Sequence, residues 1–176
     1  MTATIQDQLV SYLTDAHALE QHVDAVLASA LRMTDVPELR GPLEHHKQET
    51  ERHKRLLEER LAAHDASPSK VKDAGMALGA LALGIFQRVR SDSVGKLARD
   101  AFVAEHLEIA AYEMLERVAD RAGDKETADV ARRNKADEQA MAAKIAALWD
   151  LAVDLSLKAE GVEGTPPIPS PKGTAM

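Results

Sequence analysis

The stretch AEHLEIAAYEML, residues 104–115, decides how this chain is read. Placed at about 100° per residue, it lies on a helix whose apolar stripe is Val94, Leu97, Ala101, Tyr112, Leu115 and Ala119. Glu108 falls nearly at the centre of that stripe, and Glu105 lies on the same side, about 60° away. A carboxylate facing a helical core costs several kcal/mol unless it is protonated, paired or bound to a cation. The question for the rest of the sequence is whether other helices bring similar groups to the same place.

They do. A stripe of Leu9, Leu13, Ala16, Val23, Leu27 and Leu31 has Glu20 within roughly 20° of its centre. A stripe of Ala131, Ala142, Ile145, Trp149 and Ala152 has Glu138 near its middle. Between Leu39, Leu43, Leu57 and Leu61 the inward positions turn polar, at His46, Thr50 and His53, with Glu49 at the edge of the stripe on the same side.

These stripes predict helices over Ile5 to Met33, Glu38 to His64, a stretch from the N-cap region Ser91-Asp92-Ser93 to Ala122, and a last helix from beyond Asp124 to Lys158. Turns fall at Thr34 to Pro37 and at Gly123-Asp124, and Pro68 breaks the pattern after His64. A shorter apolar segment, Val71 to Val89, carries Gly75, Gly79 and Gly84 at spacings that allow close helix packing. Two helical hairpins joined by a long connection with a short crossover helix are the plan of an all-α, ferritin-like antiparallel four-helix bundle.

Depth gives a second test. Glu20 lies fifteen residues before Asp35 in the first turn, and Thr50, beside Glu49, fifteen after it. Glu108 lies fifteen residues before Gly123 in the second turn, and Glu138 fifteen after it. In an antiparallel hairpin equal distance from the turn means equal height. Four or five carboxylates and one or two imidazoles are therefore expected to converge mid-bundle. Such a set suits iron or manganese, and zinc also fits. A layer of protonated or salt-bridged side chains is the alternative.

Composition narrows the field. The 176 residues are 45% hydrophobic and 29% charged, enough for one cored domain, here placed at residues 1–160. Aromatic residues make up only 3%, which argues against a base-stacking platform. The absence of cysteine removes disulfides, thiol nucleophiles, Cys-ligated zinc and iron–sulfur clusters. A net charge of −7 argues against nucleic acid as the main partner. The longest apolar run, Met76 to Phe86, is about half the length needed to span a bilayer. The start MTATIQDQLV lacks a basic-then-apolar design, so no secretory signal and a cytoplasmic location are expected. Residues 161–176 carry Pro166, Pro167, Pro169 and Pro171 and read either as a flexible tail or as a docking peptide for a partner or a protein shell.

The stretches DAHALEQH (15–22), HHKQETERHKRLLEERL (45–61) and AEHLEIAAYEML (104–115) resemble the YciE/YciF-type ferritin-like family, a stress-associated group of undefined biochemistry. The resemblance runs over roughly residues 5 to 158. It implies a bundle that is often dimeric, with a carboxylate-bridged metal pair. The expected metal ligands are Glu20, Glu49 with His46 or His53, Glu105, Glu108 and Glu138. The chain departs from the wider ferritin-like pattern of Glu and Glu-x-x-His. It has His46-x-x-Glu49 and Glu49-x-x-x-His53 on one helix and Glu138-x-x-Met141 on another, where thioether is a poor ligand for hard metals. Tyr112, one turn from Glu108, is either a packed core tyrosine or a redox-active phenol beside the metals. His17 and His106 flank the site, and His22, His45 and His64 read as solvent-facing.

The reading that follows is a protein with two iron or manganese ions that oxidises Fe(II) or reduces oxygen or peroxide in oxidative stress defence. The alternatives are a non-catalytic metal-binding structural stress protein, or cargo directed to a shell by its tail.

Overall fold

The computed structural model describes residues 2–67, 94–162 and 164. The predicted crossover helix and the N-cap region at residues 91–93 lie outside the described residues, as does nearly all of the proline-rich tail. Five helices are present among the described residues: α1 (Ile5–Met33), α2 (Pro37–Ala63), α3 (Val94–Ala122), α4 (Lys125–Ala146) and α5 (Trp149–Ala159).

Local chemistry sets the ends. Thr4 caps α1 by accepting from Asp7 N–H, while Asp7 returns a bond to Thr4 N–H at 2.8 Å. Thr34 leaves helical geometry, and Pro37 starts α2 at a position where its missing N–H costs nothing. The stop of α2 comes before Pro68: Asp65 adopts φ 55°, and Ala66 N–H reaches back to Leu61 C=O at 3.0 Å. Gly123, at φ 76°, ends α3 in the same way.

The last helix differs from expectation. One helix was predicted from the turn to Lys158, but the chain breaks at Ala147–Leu148 into α4 and α5. Neither proline nor glycine is responsible. Leu148 N–H bonds Ile145 C=O at 2.9 Å, a tightened turn. The redirected α5 sets Trp149 against Phe102, ring centroids 5.3 Å apart. It also offers Ser156 Oγ to the otherwise orphaned Gly95 N–H at 2.8 Å. A Cβ at Gly95 would approach that oxygen to 2.9 Å, so a larger residue there would displace the Ser156 hydroxyl from its bond. Packing against α3 overrides the helical propensity of the junction.

The four long helices form a ring in which α1 packs on α2 and α3, and α4 packs on α2 and α3. Gln6, at the start of α1, bonds Ala122 C=O at the end of α3, so these two helices run antiparallel. Arg60 and His64, at the end of α2, meet Asp124 and Thr127 at the start of α4. The end of α2 and the start of α3 therefore lie at opposite ends of the bundle, which requires the long connection read from the sequence.

Along its axis the interior has three layers. One end is an apolar plug of Leu9, Leu13, Leu57, Leu61, Leu115 and small alanines. Each leucine buried there contributes about 2 kcal/mol of transfer free energy. The middle is polar. The far end holds a cavity of about 220 Å³ lined by Leu39, Leu43, Leu97, Ile145 and Leu148 among others. Met141 faces this cavity, one turn beyond Glu138. Among the described residues no helix is long and apolar enough to cross a membrane.

Asp124 fastens the plug end. It caps α4 through Thr127 N–H at 3.0 Å, receives both Arg60 Nη2 contacts, and lies 2.7 Å from His64 Nε2. His64 was expected to face solvent, but its side chain is only 20% exposed because this carboxylate holds it. Half-buried His22 departs from the same expectation, whereas His45, 59% exposed, agrees with it. Burial pushes the Asp124 carboxyl up, but the bonds from Thr127, His64 and Arg60 outweigh it and hold it well below the usual range. A depressed carboxyl stabilises the fold above its unfolded pKa of about 4 and loses that contribution as pH falls. Asp124→Ala is expected to cost about 2 kcal/mol at neutral pH by denaturant unfolding. The variant should also lose less stability than the parent between about pH 5 and pH 2; equal acid slopes would show that Asp124 is not the clamp.

Candidate metal centre

The middle layer is built from one face of each long helix. Glu20 comes from α1, His46, Glu49, Thr50 and His53 from α2, Glu105, Glu108 and Tyr112 from α3, and Asn134 and Glu138 from α4. All are buried; Glu20, Glu105, Glu108, Glu138, His46 and His53 are each no more than 2% exposed. Two groups emerge, each residue offering one ligand atom within 4.8 Å of the others. One is His46, Glu105, Glu108 and Glu138; the other is Glu20, His53 and Glu138. Glu138 belongs to both.

The two imidazoles are oriented from behind. His46 Nδ1 lies 3.2 Å from Glu49 Oε2, which leaves Nε2 facing the interior, 3.3 Å from Glu105 Oε1 and 3.4 Å from Glu138 Oε2. These last contacts are close but out of line for hydrogen bonding, so Nε2 is unpartnered. His53 is turned the other way. Its Nε2 meets Asp137 Oδ2 at 3.1 Å, and its Nδ1 faces Glu20 Oε1 at 3.1 Å and Glu138 Oε1 at 2.9 Å. Both histidines thus face the interior, and each directs a different ring nitrogen toward it.

Glu49 stands outside both groups. Its oxygens rest on His46 Nδ1 and, at 3.0 Å, on His45 Nε2. Tyr112 donates its O–H to Glu20 Oε1 and accepts from Asn134 Nδ2 at 3.0 Å, with its ring edge-on to His53 at 6.1 Å between centroids. His17 is buried and bonds Glu58 at 2.9 Å, away from the cluster. His106 is exposed and bonded to Phe102 C=O, so it touches no cluster carboxylate.

Asp137 and Asn134 were not foreseen. Asn134 lies four residues before Glu138 and so shares its inward face, a signal the spacing carried. Asp137 is one-third exposed and paired with Arg52 at 2.7 Å, and nothing in its spacing marks it as the support of a histidine on another helix.

The cluster is electrostatically crowded. Burial, reinforced by Glu138, Glu20 and Glu105, pushes the Glu108 carboxyl far above the usual range. Burial also raises Glu20 and Glu138, against the opposing pull of His53. Burial alone would lower the histidines, but the surrounding carboxylates lift His46 to about 9 and His53 to about 10. The Tyr112 phenol is raised well above its ordinary value by burial and by the Glu20 and Glu138 charges. Even so, both oxygens of Glu108, both of Glu138, Glu20 Oε2, Glu105 Oε2 and His46 Nε2 have no hydrogen-bond partner. This set of oxygen donors with imidazole nitrogen fits a hard or borderline divalent metal.

Helices in a ring with carboxylates and imidazoles converging from all four define a ferritin-like helical bundle. The chain belongs to the family described as a domain of unknown function, DUF892, whose model matches residues 4–158. It is similar to a Xanthomonas campestris pv. campestris protein of known structure, at 26% identity over 90% of this chain and 99% of that one, with a TM-score of 0.69. The Escherichia coli stress protein YciF matches with 21% identity, 87% and 99% coverage and a TM-score of 0.75. A Desulfovibrio desulfuricans bacterioferritin, described with its diiron site in different catalytic states, matches with 20% identity, 94% coverage of each chain and a TM-score of 0.69. These last two show a shared fold.

An unpartnered buried acid destabilises a protein that has no cation to set against it. Glu108→Met fills similar volume without charge. In chelator-stripped protein it is expected to raise stability by about 1–3 kcal/mol in denaturant unfolding. A less stable variant would mean that Glu108 makes compensating contacts.

Proposed function

We propose that this chain is a dinuclear metal protein, holding iron or manganese, that oxidises Fe(II) or reduces oxygen or peroxide in oxidative stress defence. One observation carries the reading: Glu108 is 1% exposed, sits among three other carboxylates, and has neither oxygen partnered. His46, Glu105, Glu108 and Glu138 would hold one ion, and Glu20, His53 and Glu138 the other. Four ionised carboxylates and two neutral imidazoles would balance the charge of two divalent cations. A diiron bacterioferritin of the same fold supports the choice of metal pair. Bound as a pair, the ions would supply electrons jointly to oxygen or peroxide.

The remaining side chains do the positioning. With metal bound and both rings neutral, Glu49 would hold the proton of His46 on Nδ1 and Asp137 that of His53 on Nε2, so each ring would present a lone pair inward. Glu49, expected as a ligand, thus acts in this reading through His46. Tyr112 occupies one oxygen of Glu20 and leaves the other free, and Asn134 holds the phenol in place. The phenol is the nearest protein group able to give a proton or an electron to chemistry at Glu20.

Chelator-stripped protein loaded anaerobically with Fe(II) is expected to take up two ions per chain. At a hundredfold excess over Kd, each ion bound adds about 2.7 kcal/mol, so two ions filling independently raise Tm by roughly 10–20 °C. Exposure to oxygen should then consume it above the buffer blank. Stoichiometric metal without oxygen consumption would favour the structural alternative, and no stoichiometric metal would end the metal reading. Tyr112→Phe is expected to keep the metal content while slowing oxidation about tenfold or more; an unchanged rate would leave Tyr112 a packing residue.

A further inference from the structure

A buried site needs a way in. Among the described residues, two chains of polar groups run from the surface to the middle layer. In the first, His45 has a side chain 59% exposed, Glu49 11% and His46 0%. His45 Nε2 lies 3.0 Å from Glu49 Oε1, and Glu49 Oε2 lies 3.2 Å from His46 Nδ1. On the far side of the same ring, unpartnered His46 Nε2 faces Glu105 and Glu138. In the second chain, one-third-exposed Asp137 lies 3.1 Å from His53 Nε2. There the guanidinium of Arg52 sits 2.7 Å from the same carboxylate oxygen. A fixed positive charge at that mouth repels an incoming cation. The first mouth instead presents an imidazole and a carboxylate oxygen, both of which ligate divalent metals.

We propose that His45 and Glu49 form a surface capture site for a divalent cation and that metal reaches the buried groups along this side of α2. Glu49 then has two tasks: it orients His46 and it offers the first carboxylate that an ion meets below the surface. His45 takes part only in transit, because it belongs to neither buried group. This inference rests on the metal reading given above.

The test uses the full, chelator-stripped chain and anaerobic Co(II), followed by stopped-flow absorbance of the coordinated ion and by final metal content. His45 is exposed, so substitutions there leave the fold intact. His45→Ala is expected to lower the loading rate on the order of tenfold without lowering the final content. His45→Glu should load at close to the parent rate, and His45→Lys more slowly than His45→Ala. Arg52→Ala, which removes the repelling charge from the second mouth, should load at least as fast as the parent. If His45→Ala loads as fast as the parent, or if Arg52→Ala loads more slowly, the route is overturned while the metal centre stands. A His45→Ala protein that also holds less metal at equilibrium overturns the transit role. A parent chain that takes up no Co(II) overturns the metal reading and this inference with it.

Discussion

Charge confined to one buried layer is the constraint on which this bundle depends. Glu20, Glu105, Glu108 and Glu138 meet where none is more than 2% exposed, and two imidazoles cannot pair with all of their oxygens. Such a layer lowers the stability of the helices that enclose it. The cost is offset elsewhere: by the leucine plug at one end, and by the Asp124 clamp that ties the end of α2 to the start of α4. The apolar cavity lies at the opposite end from the clamp, where Leu39, Leu43 and Leu97 are only half-buried. Among the described residues, the leucine plug and the clamp thus lie on one side of the polar layer and the cavity on the other.

The supporting contacts follow from the same constraint. An imidazole offers two nitrogens, and fixing one determines what the other can do. On α2 the two histidines lie seven positions apart and face one interior, yet Glu49 of the same helix holds one and Asp137 of α4 holds the other. Tyr112 and Asn134 perform a similar service for Glu20. The carboxylates left without such support, Glu108 and Glu138, have the most unpartnered oxygens.

Much of this was legible in the sequence because it is periodic. The inward phase of Glu20, His46, His53, Glu108 and Glu138 follows from 3.6 residues per turn, and their common height follows from equal distances to two turns. The ends of α1 and α3 were legible because Met33 precedes a polar turn with proline and Gly123 suits a left-handed conformation. What escaped depends on contacts between helices. The break at Ala147–Leu148 has no local signal and exists because Trp149 and Ser156 find partners on α3. His64 looks solvent-facing until Asp124, far along the chain, is brought beside it. Asp137 sits at the edge of its helix, and its bond to His53 crosses from α4 to α2.

Glu138 is the one residue shared by both groups of candidate ligands. Wherever two sites draw on a single side chain, the free energy of filling one depends on whether the other is filled, and the dependence is reciprocal. An ion that settles against either set would restrict the rotamers of Glu138 and so remove part of the ordering entropy the second ion must otherwise overcome. Competing for the same oxygen would act in the opposite sense. The balance between those two effects, set at a single carboxylate, would decide whether the pair fills as a unit or one ion at a time.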